Sequence, residues 1–402
     1  MSNSRYLIAG GGIAAASAIR GIREIDADGS ISVIAAESDP PYRRPWLSKK
    51  LWQGKSLKRA FYDLDESGAV FHHGVTAESL EPVSRLVVDS QGNRHHYEQL
   101  LIATGSTPRH FPFESPGVIY FHDLPDYHHL RELAKPGARF AVIGGGFIGT
   151  EIAAALAEAG ATVTLVISHQ AVGAALFPPG LADSLNQRYR AAGIDLQFDQ
   201  RVTSIDTLET GFRVHTLEAS TGNDHRFEVD HVVAGIGATP NVALAESAGL
   251  RIDNGIVVDQ FLRVSDHANI YAAGDVATAW QSTLGTWRRV EHEDNARIMG
   301  RTAGRAMAGT AEPYDYLPYF YSDLFELGYE AVGEVDSRLD MVEDWQNPML
   351  EGTVYYLKDD IVRGVLLWNV WDQVPAAREL IGKSLPTGIM SRITAQVTGD
   401  TH

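Results

Sequence analysis

Two glycine-rich stretches have the residue types and spacing needed to hold a dinucleotide. In one, the apolar run Phe140 to Ile143 gives way to Gly144-x-Gly146-x-x-Gly149, and a helical pattern, Ile152 to Leu156, follows. Glycines there let the chain turn tightly and let its backbone approach a pyrophosphate. The pyrophosphate then sits on the amides and partial positive charge of a helix N-terminus. Phe147 and Glu151 stand four apart, so they share the helix face near that terminus. The other stretch is Gly10-x-Gly12-x-x-Ala15, between the strand pattern Arg5 to Ala9 and an alanine-rich helix. The next strand pattern, from Ile31, ends in Glu37. An acid about twenty residues past such a loop accepts hydrogen bonds from a ribose hydroxyl.

A proline-stiffened segment, Pro40 to Lys49, carries Arg43, Arg44 and Lys49. Solvated surface is the default for basic side chains, but the place of this loop beside the first crevice makes Arg44 and Lys49 candidates for phosphate and ring contacts. The elements that must position these residues come in two similar sets. Short strands from Val70 to Ala103 end in Leu100-Leu-Ile-Ala-Thr104-Gly105, and those from Leu196 to Val233 end in Val232-Val-Ala-Gly-Ile-Gly237. Arg5 to Arg139 is an offset of 134, and Thr107-Pro108 to Thr239-Pro240 one of 132. The same parts in the same order at nearly constant spacing indicate an internal duplication. A chain that binds two dinucleotides is arranged for hydride transfer.

Strand patterns Gly255 to Asp259 and Asn269 to Ala273 and a helix from about Glu291 to Met307 follow. The last ninety or so residues are dense in aromatics, then show strands Thr353 to Leu357 and Val362 to Trp368 and a helix near Pro375 to Ile381. The expected fold is α/β, with two Rossmann-like dinucleotide-binding domains and a C-terminal α+β domain. The expected boundaries are 1–110 with 235–310 for the first binding domain, 111–234 for the second and 311–402 for the last.

Composition narrows the function. The 402 residues include 34 Lys and Arg against 51 Asp and Glu, a net charge of −17, which argues against a nucleic-acid or anionic-membrane surface as the main partner. With no cysteine, the sequence carries no disulfide, thiolate metal site or redox dithiol. The adjacent pairs His72-His73, His95-His96 and His128-His129 lack the spacing of a helix-borne metal site and are expected on the surface. No signal peptide or membrane-spanning run is evident, so a cytoplasmic protein is expected, as a monomer or homodimer.

Taken together, the motifs resemble the FAD-dependent pyridine-nucleotide reductases, in particular the cysteine-free branch with ferredoxin and rubredoxin reductases and apoptosis-inducing factor. The likeness rests on both glycine motifs, Arg44-Pro-Trp-Leu-Ser-Lys49, Ala103-Thr104-Gly105, Gly237-Ala-Thr-Pro-Asn241 and Ala273-Gly274-Asp275. Arg288-Arg-Val-Glu-His292, Phe320-Tyr-Ser-Asp323 and Gly364-Val-Leu-Leu-Trp368-Asn are similar to apoptosis-inducing factor. The resemblance assigns FAD to the first domain and NAD(P)H to the second. The cofactor-binding positions it implies are Gly10, Gly12, Ala15, Glu37, Arg44, Lys49, Thr104, Gly105, Gly144, Gly146, Gly149, His169, Gly237, Gly274 and Asp275. It also implies a Lys49–Glu151 pair at the reactive flavin nitrogen. Phe147 would cover the flavin face, with His292 and Trp368 lining the same pocket. An ordinary core role competes for Phe147 and Trp368, and a plain hydrogen-bonding role for His292.

Some residues depart from that pattern. Trp46 stands where relatives often have proline, and Tyr321 where they have tryptophan. The strand pattern Thr162 to Ile167 ends in Ser168-His169-Gln170, without the acid that holds the ribose in NADH-specific relatives. No arginine replaces it, and His169 is a partial substitute, so NADH and NADPH both stay open with a lean to NADPH. Lacking a dithiol, the protein must pass its electrons to an outside acceptor. A small ferredoxin is the leading expectation; a redox sensor like apoptosis-inducing factor and a reductase of a small organic acceptor are the alternatives. Arg297, Arg301 and Arg305 form one helical stripe, either a docking patch for an acidic ferredoxin or a row paired with nearby acids.

Overall fold

The computed structural model describes residues 2–386, 388 and 389. The chain divides into two compact units. One comprises Met1–Trp46, Lys55–Thr107 and Thr239–Pro318; the other comprises Leu47–Gly54, Pro108–Ala238 and the chain from Tyr319 on.

In the first unit, strands Val70–His73, Ile31–Ala35, Ser2–Ala9 and Arg94–Ile102 lie side by side in parallel. The long strand Arg94–Ile102 is shared. Its first residues pair antiparallel with Leu86–Asp89, and Leu100 to Ile102 pair in parallel with Ile270–Ala272. Ile31–Ala35 is buried along its whole length, as expected of a parallel strand covered on both faces. Helices Ile13–Arg23 and Glu293–Met307 pack backbone to backbone. A Cβ on Gly300 would collide with the carbonyl oxygen of Ala14, and one on Gly304 with that of Ala18. Small residues on both helices permit that approach.

The histidine pairs on strands depart from the surface expectation. Successive side chains on a strand face opposite ways, so a His-His pair there must split. His95 is only 2% exposed, with Nε2 2.9 Å from Asp89 Oδ2, and His72 is half-buried against its ring. His73, His128 and His129 are exposed. Burial works to raise the Asp89 carboxyl, but bonds from His95, Asn93 and the Gln91 amide outweigh it and hold the group down to about 2. A depressed carboxyl contributes stability that is complete above its unfolded value near 3.8 and is lost as pH falls through about 2. Asp89→Asn is therefore expected to lose roughly 2 kcal/mol in urea unfolding at pH 7, with the deficit shrinking between pH 4 and pH 2. A deficit that stays constant over that range would show that the charge contributes nothing.

In the second unit, strands Asp195–Gln197, Thr162–Val166, Arg139–Ile143, His231–Ala234 and Ile119–Tyr120 form a parallel sheet in that order. An antiparallel meander of Gln200–Thr207, Phe212–Glu218 and Asp224–Val229 is inserted before its fourth strand. The C-terminal part is a five-stranded antiparallel sheet ordered Tyr319–Leu324, Leu327–Gly333, Ile361–Trp368, Glu351–Lys358 and Asp340–Asn347, followed by helix Val374–Leu380. The first two of these strands lie in the aromatic-rich stretch, where density of rings gave no period to read. Among the described residues, no helix is long and apolar enough to cross a membrane.

Candidate functional site

The first glycine loop closes tightly at one end and stands open at the other. Gly10 has φ +118°, and a Cβ there would collide with the Ala103 carbonyl oxygen. Gly12 caps helix Ile13–Arg23 in extended conformation with no side chain bonded to the helix amides, and a Cβ on it would meet nothing within 4 Å. Those amides are the free donors an anion requires. Ala15 is fully buried beneath. The loop therefore leaves open space in front of the helix amides, the arrangement an anion needs.

Around this loop the first unit gathers other expected residues. Glu37 and Arg44 bond to each other, Arg44 Nη2 lying 2.5 Å from Glu37 Oε1, while the Tyr42 hydroxyl donates to Oε2 at 2.6 Å. Thr104 donates to the Asn241 carbonyl at 2.8 Å, and the Asn241 amide returns a bond to Thr104 O at 2.9 Å. Gly105 and Gly274 both have positive φ, +69° and +80°. Burial pushes the Asp275 carboxyl up to about 6, even though Ser106 donates to it at 2.9 Å. His292 is half-buried at the N-cap of helix Glu293–Met307, with no side-chain cap bond.

The second loop, in the other unit, repeats the design. Gly144 has φ +122° and lies against the Gly235 carbonyl, Gly149 lies against the Gly144 carbonyl, and Gly146 caps helix Phe147–Glu158 with open space around it. Gly237, at φ +100°, lies beside Arg109. His169 is exposed just past strand Thr162–Val166. At the head of the helix, half-buried Phe147 meets Phe320 edge-on at 5.4 Å.

Within the same unit, Lys49 Nζ lies 2.7 Å from Glu151 Oε1, with side chains 7% and 1% exposed. A buried ion pair survives only when its desolvation is offset by further hydrogen bonds. Ser48 supplies one to Oε2 at 2.5 Å, and Ser322 one to Oε1 at 2.6 Å. The Lys49 ammonium also lies 5.3 Å from the centre of the Tyr321 ring, a cation–π contact. Trp368 has no exposed surface; it stacks on Tyr329 at 5.7 Å and meets Phe177 edge-on at 5.5 Å. Its Nε1 has no hydrogen-bond partner among the described residues. No sequence pattern marks either serine as a partner of Glu151. They stand 103 and 171 positions from Glu151, too far for spacing to link them.

Residues 4–300 match the family described as pyridine nucleotide-disulphide oxidoreductase. The chain belongs to that family. Residues 303–351 and 341–383 match the C-terminal domain described for mitochondrion-associated apoptosis-inducing factor. The chain is 31% identical to apoptosis-inducing factor 1, mitochondrial, of Dictyostelium discoideum, over 99% of this chain and 82% of that protein. It is 33% identical to the ferredoxin–NAD(+) reductase component of the anthranilate 1,2-dioxygenase system of Burkholderia cepacia, over 83% of this chain and 82% of that protein. The covalent putidaredoxin reductase–putidaredoxin complex superposes with a TM-score of 0.87 at 26% identity, covering 98% of this chain and 99% of that one. The protein is an NAD(P)H-dependent flavoprotein oxidoreductase of the ferredoxin-reductase and apoptosis-inducing-factor type, and its cofactors are FAD and NAD(P)H. No cysteine stands in its sequence, so the chain carries no redox dithiol of its own.

Proposed function

We propose that the protein takes hydride from NAD(P)H and delivers electrons to a small iron–sulfur ferredoxin. The observation that carries this is the buried Lys49–Glu151 pair in a chain with two glycine loops at helix N-termini and no dithiol of its own. Support for the acceptor comes from relatives whose names specify ferredoxin or rubredoxin and from the likeness to putidaredoxin reductase. FAD, when bound, accepts two electrons as hydride and releases them one at a time.

The chain's own residues do the remaining work. Residues 1–110 and 235–310 would form the FAD domain, 111–234 the NAD(P)H domain and 311–402 the C-terminal domain. The Gly10–Gly12 loop and free amides of the first helix would hold the FAD pyrophosphate, and Glu37 and Arg44 its adenosine end. Thr104, Gly105, Gly237, Gly274 and Asp275 would lie along the rest of that cofactor, and His292 near its ring. Gly144, Gly146 and Gly149 would hold the second pyrophosphate, and His169 the far ribose. Phe147 would shield the hydride-accepting face, while Lys49 and Glu151 fix charge at the reactive edge.

The arginine stripe takes the paired alternative. Arg301 and Arg305 both bond to Glu24, Arg305 also to Glu312, and Arg297 to Asp294, so carboxylates answer each of the three.

A second reading, a sensor like apoptosis-inducing factor whose reduced complex persists, is favoured by the matched C-terminal segment. Stopped-flow reduction by NADPH and by NADH, followed by an oxygenase-type ferredoxin, separates the two. Reoxidation by ferredoxin within seconds, with NADPH used at least as well as NADH, is the expected result. A charge-transfer band that ferredoxin fails to discharge would favour the sensor and remove the ferredoxin assignment.

A further inference from the structure

The carboxylate of Glu151 is gripped from three directions. Lys49 Nζ and Ser322 Oγ approach Oε1 at 2.7 and 2.6 Å, and Ser48 Oγ approaches Oε2 at 2.5 Å. All three are donors, and Ser48, Lys49, Glu151 and Ser322 are all buried. The lysine supplies charge, but charge alone leaves the carboxylate plane undefined, because the terminal torsion of glutamate is broad. Hydroxyls bonded to different oxygens remove that freedom. Ser322 is itself held. Its partner directly across the strand pair Tyr319–Leu324 and Leu327–Gly333 is the buried Tyr329. Tyr329 in turn stacks on Trp368 with planes 13° apart.

We propose that Ser322 and Ser48 are positioning residues that set the Glu151 carboxylate plane and thereby aim the Lys49 ammonium, with Tyr329 and Trp368 holding Ser322 in place. This rests on the assignment of Lys49 and Glu151 to the flavin edge. It gives Trp368 an indirect part: wholly buried, it bears on the tyrosine behind the serine.

The experiment compares FAD-loaded Ser322→Ala, Ser322→Thr, Ser48→Ala, Glu151→Gln and the double variant Ser322→Ala/Glu151→Gln. Two readouts are taken: the rate of flavin reduction by NADPH and the flavin midpoint potential. Ser322→Ala is expected to slow reduction roughly tenfold. The potential should rise in the same direction as for Glu151→Gln, because a loosened carboxylate leaves the Lys49 charge less opposed. Ser322→Thr keeps the hydroxyl and restores most of the rate. The double variant is expected to be no slower than Glu151→Gln alone. If Ser322→Ala slows Glu151→Gln by the same factor as it slows the parent, or moves neither rate nor potential, the positioning role is overturned. If Glu151→Gln itself leaves both readouts unchanged, the flavin-edge assignment fails, and the inference goes with it. Should Ser322→Ala not fold, Ser48→Ala carries the same comparison on the other oxygen.

Discussion

Lys49→Met is expected to lower stability by about 3–5 kcal/mol and to slow hydride transfer by about a hundredfold. The reason for the first effect is the 1% exposure of the Glu151 side chain. Without the ammonium, a buried carboxylate keeps only two neutral hydroxyl donors, Ser48 and Ser322, and an unopposed charge in a low-dielectric interior is expensive. The second effect follows from losing a fixed positive charge where charge develops in the reaction. A companion variant separates the two. Lys49→Met/Glu151→Leu removes both charges and replaces them with apolar groups of similar size, which is often neutral for stability. It should recover most of the lost stability while hydride transfer stays slow. Urea unfolding of each variant and single-turnover reduction by NADPH measure both quantities. If the double variant is as unstable as Lys49→Met, the deficit comes from lost packing at position 49 rather than from the stranded carboxylate.

The second large effect sits in the first glycine loop, where two glycines have opposite reasons for being glycine. Gly10→Ala would put a methyl group into the Ala103 carbonyl oxygen, at a φ of +118° that side chains rarely adopt. Both partners are backbone, so neither can swing aside. A loss of about 4 kcal/mol or more is expected, seen as misfolded or insoluble protein. Gly12→Ala should behave differently. Its φ of −90° suits alanine, and the added methyl meets nothing within 4 Å. The flavin-free protein should melt within a few degrees of the parent, or slightly higher. The methyl would, however, occupy the space through which a pyrophosphate must approach the helix amides. FAD affinity is expected to fall by about a hundredfold, or about 2.7 kcal/mol, in a fluorescence titration. Unaltered affinity in a stable Gly12→Ala protein would mean that the loop does not hold the cofactor.

Both glycine loops are legible in the sequence because their chemistry is local. A strand, a turn of glycines and a helix N-terminus are contiguous in the chain, and the period of apolar residues marks where each begins. The repeat at offsets of 134 and 132 residues disclosed the doubled architecture for the same reason. Three features were out of reach of spacing. The two neighbours in His95-His96 face opposite sides of their strand, and only the bond to Asp89 reveals which one is buried. In the arginine stripe, Arg301 and Arg305 find their partner in Glu24, nearly three hundred residues earlier, which helical spacing does not show. The hydroxyl grip on Glu151 joins three segments far apart in sequence. The amino-acid order alone determined the paired nucleotide loops and the absence of a dithiol, because those depend on neighbouring residues and on composition. Tertiary packing alone decided which charges are buried, which are matched and which hydroxyls orient them, because desolvation and directional hydrogen bonds exist only once distant parts of the chain meet.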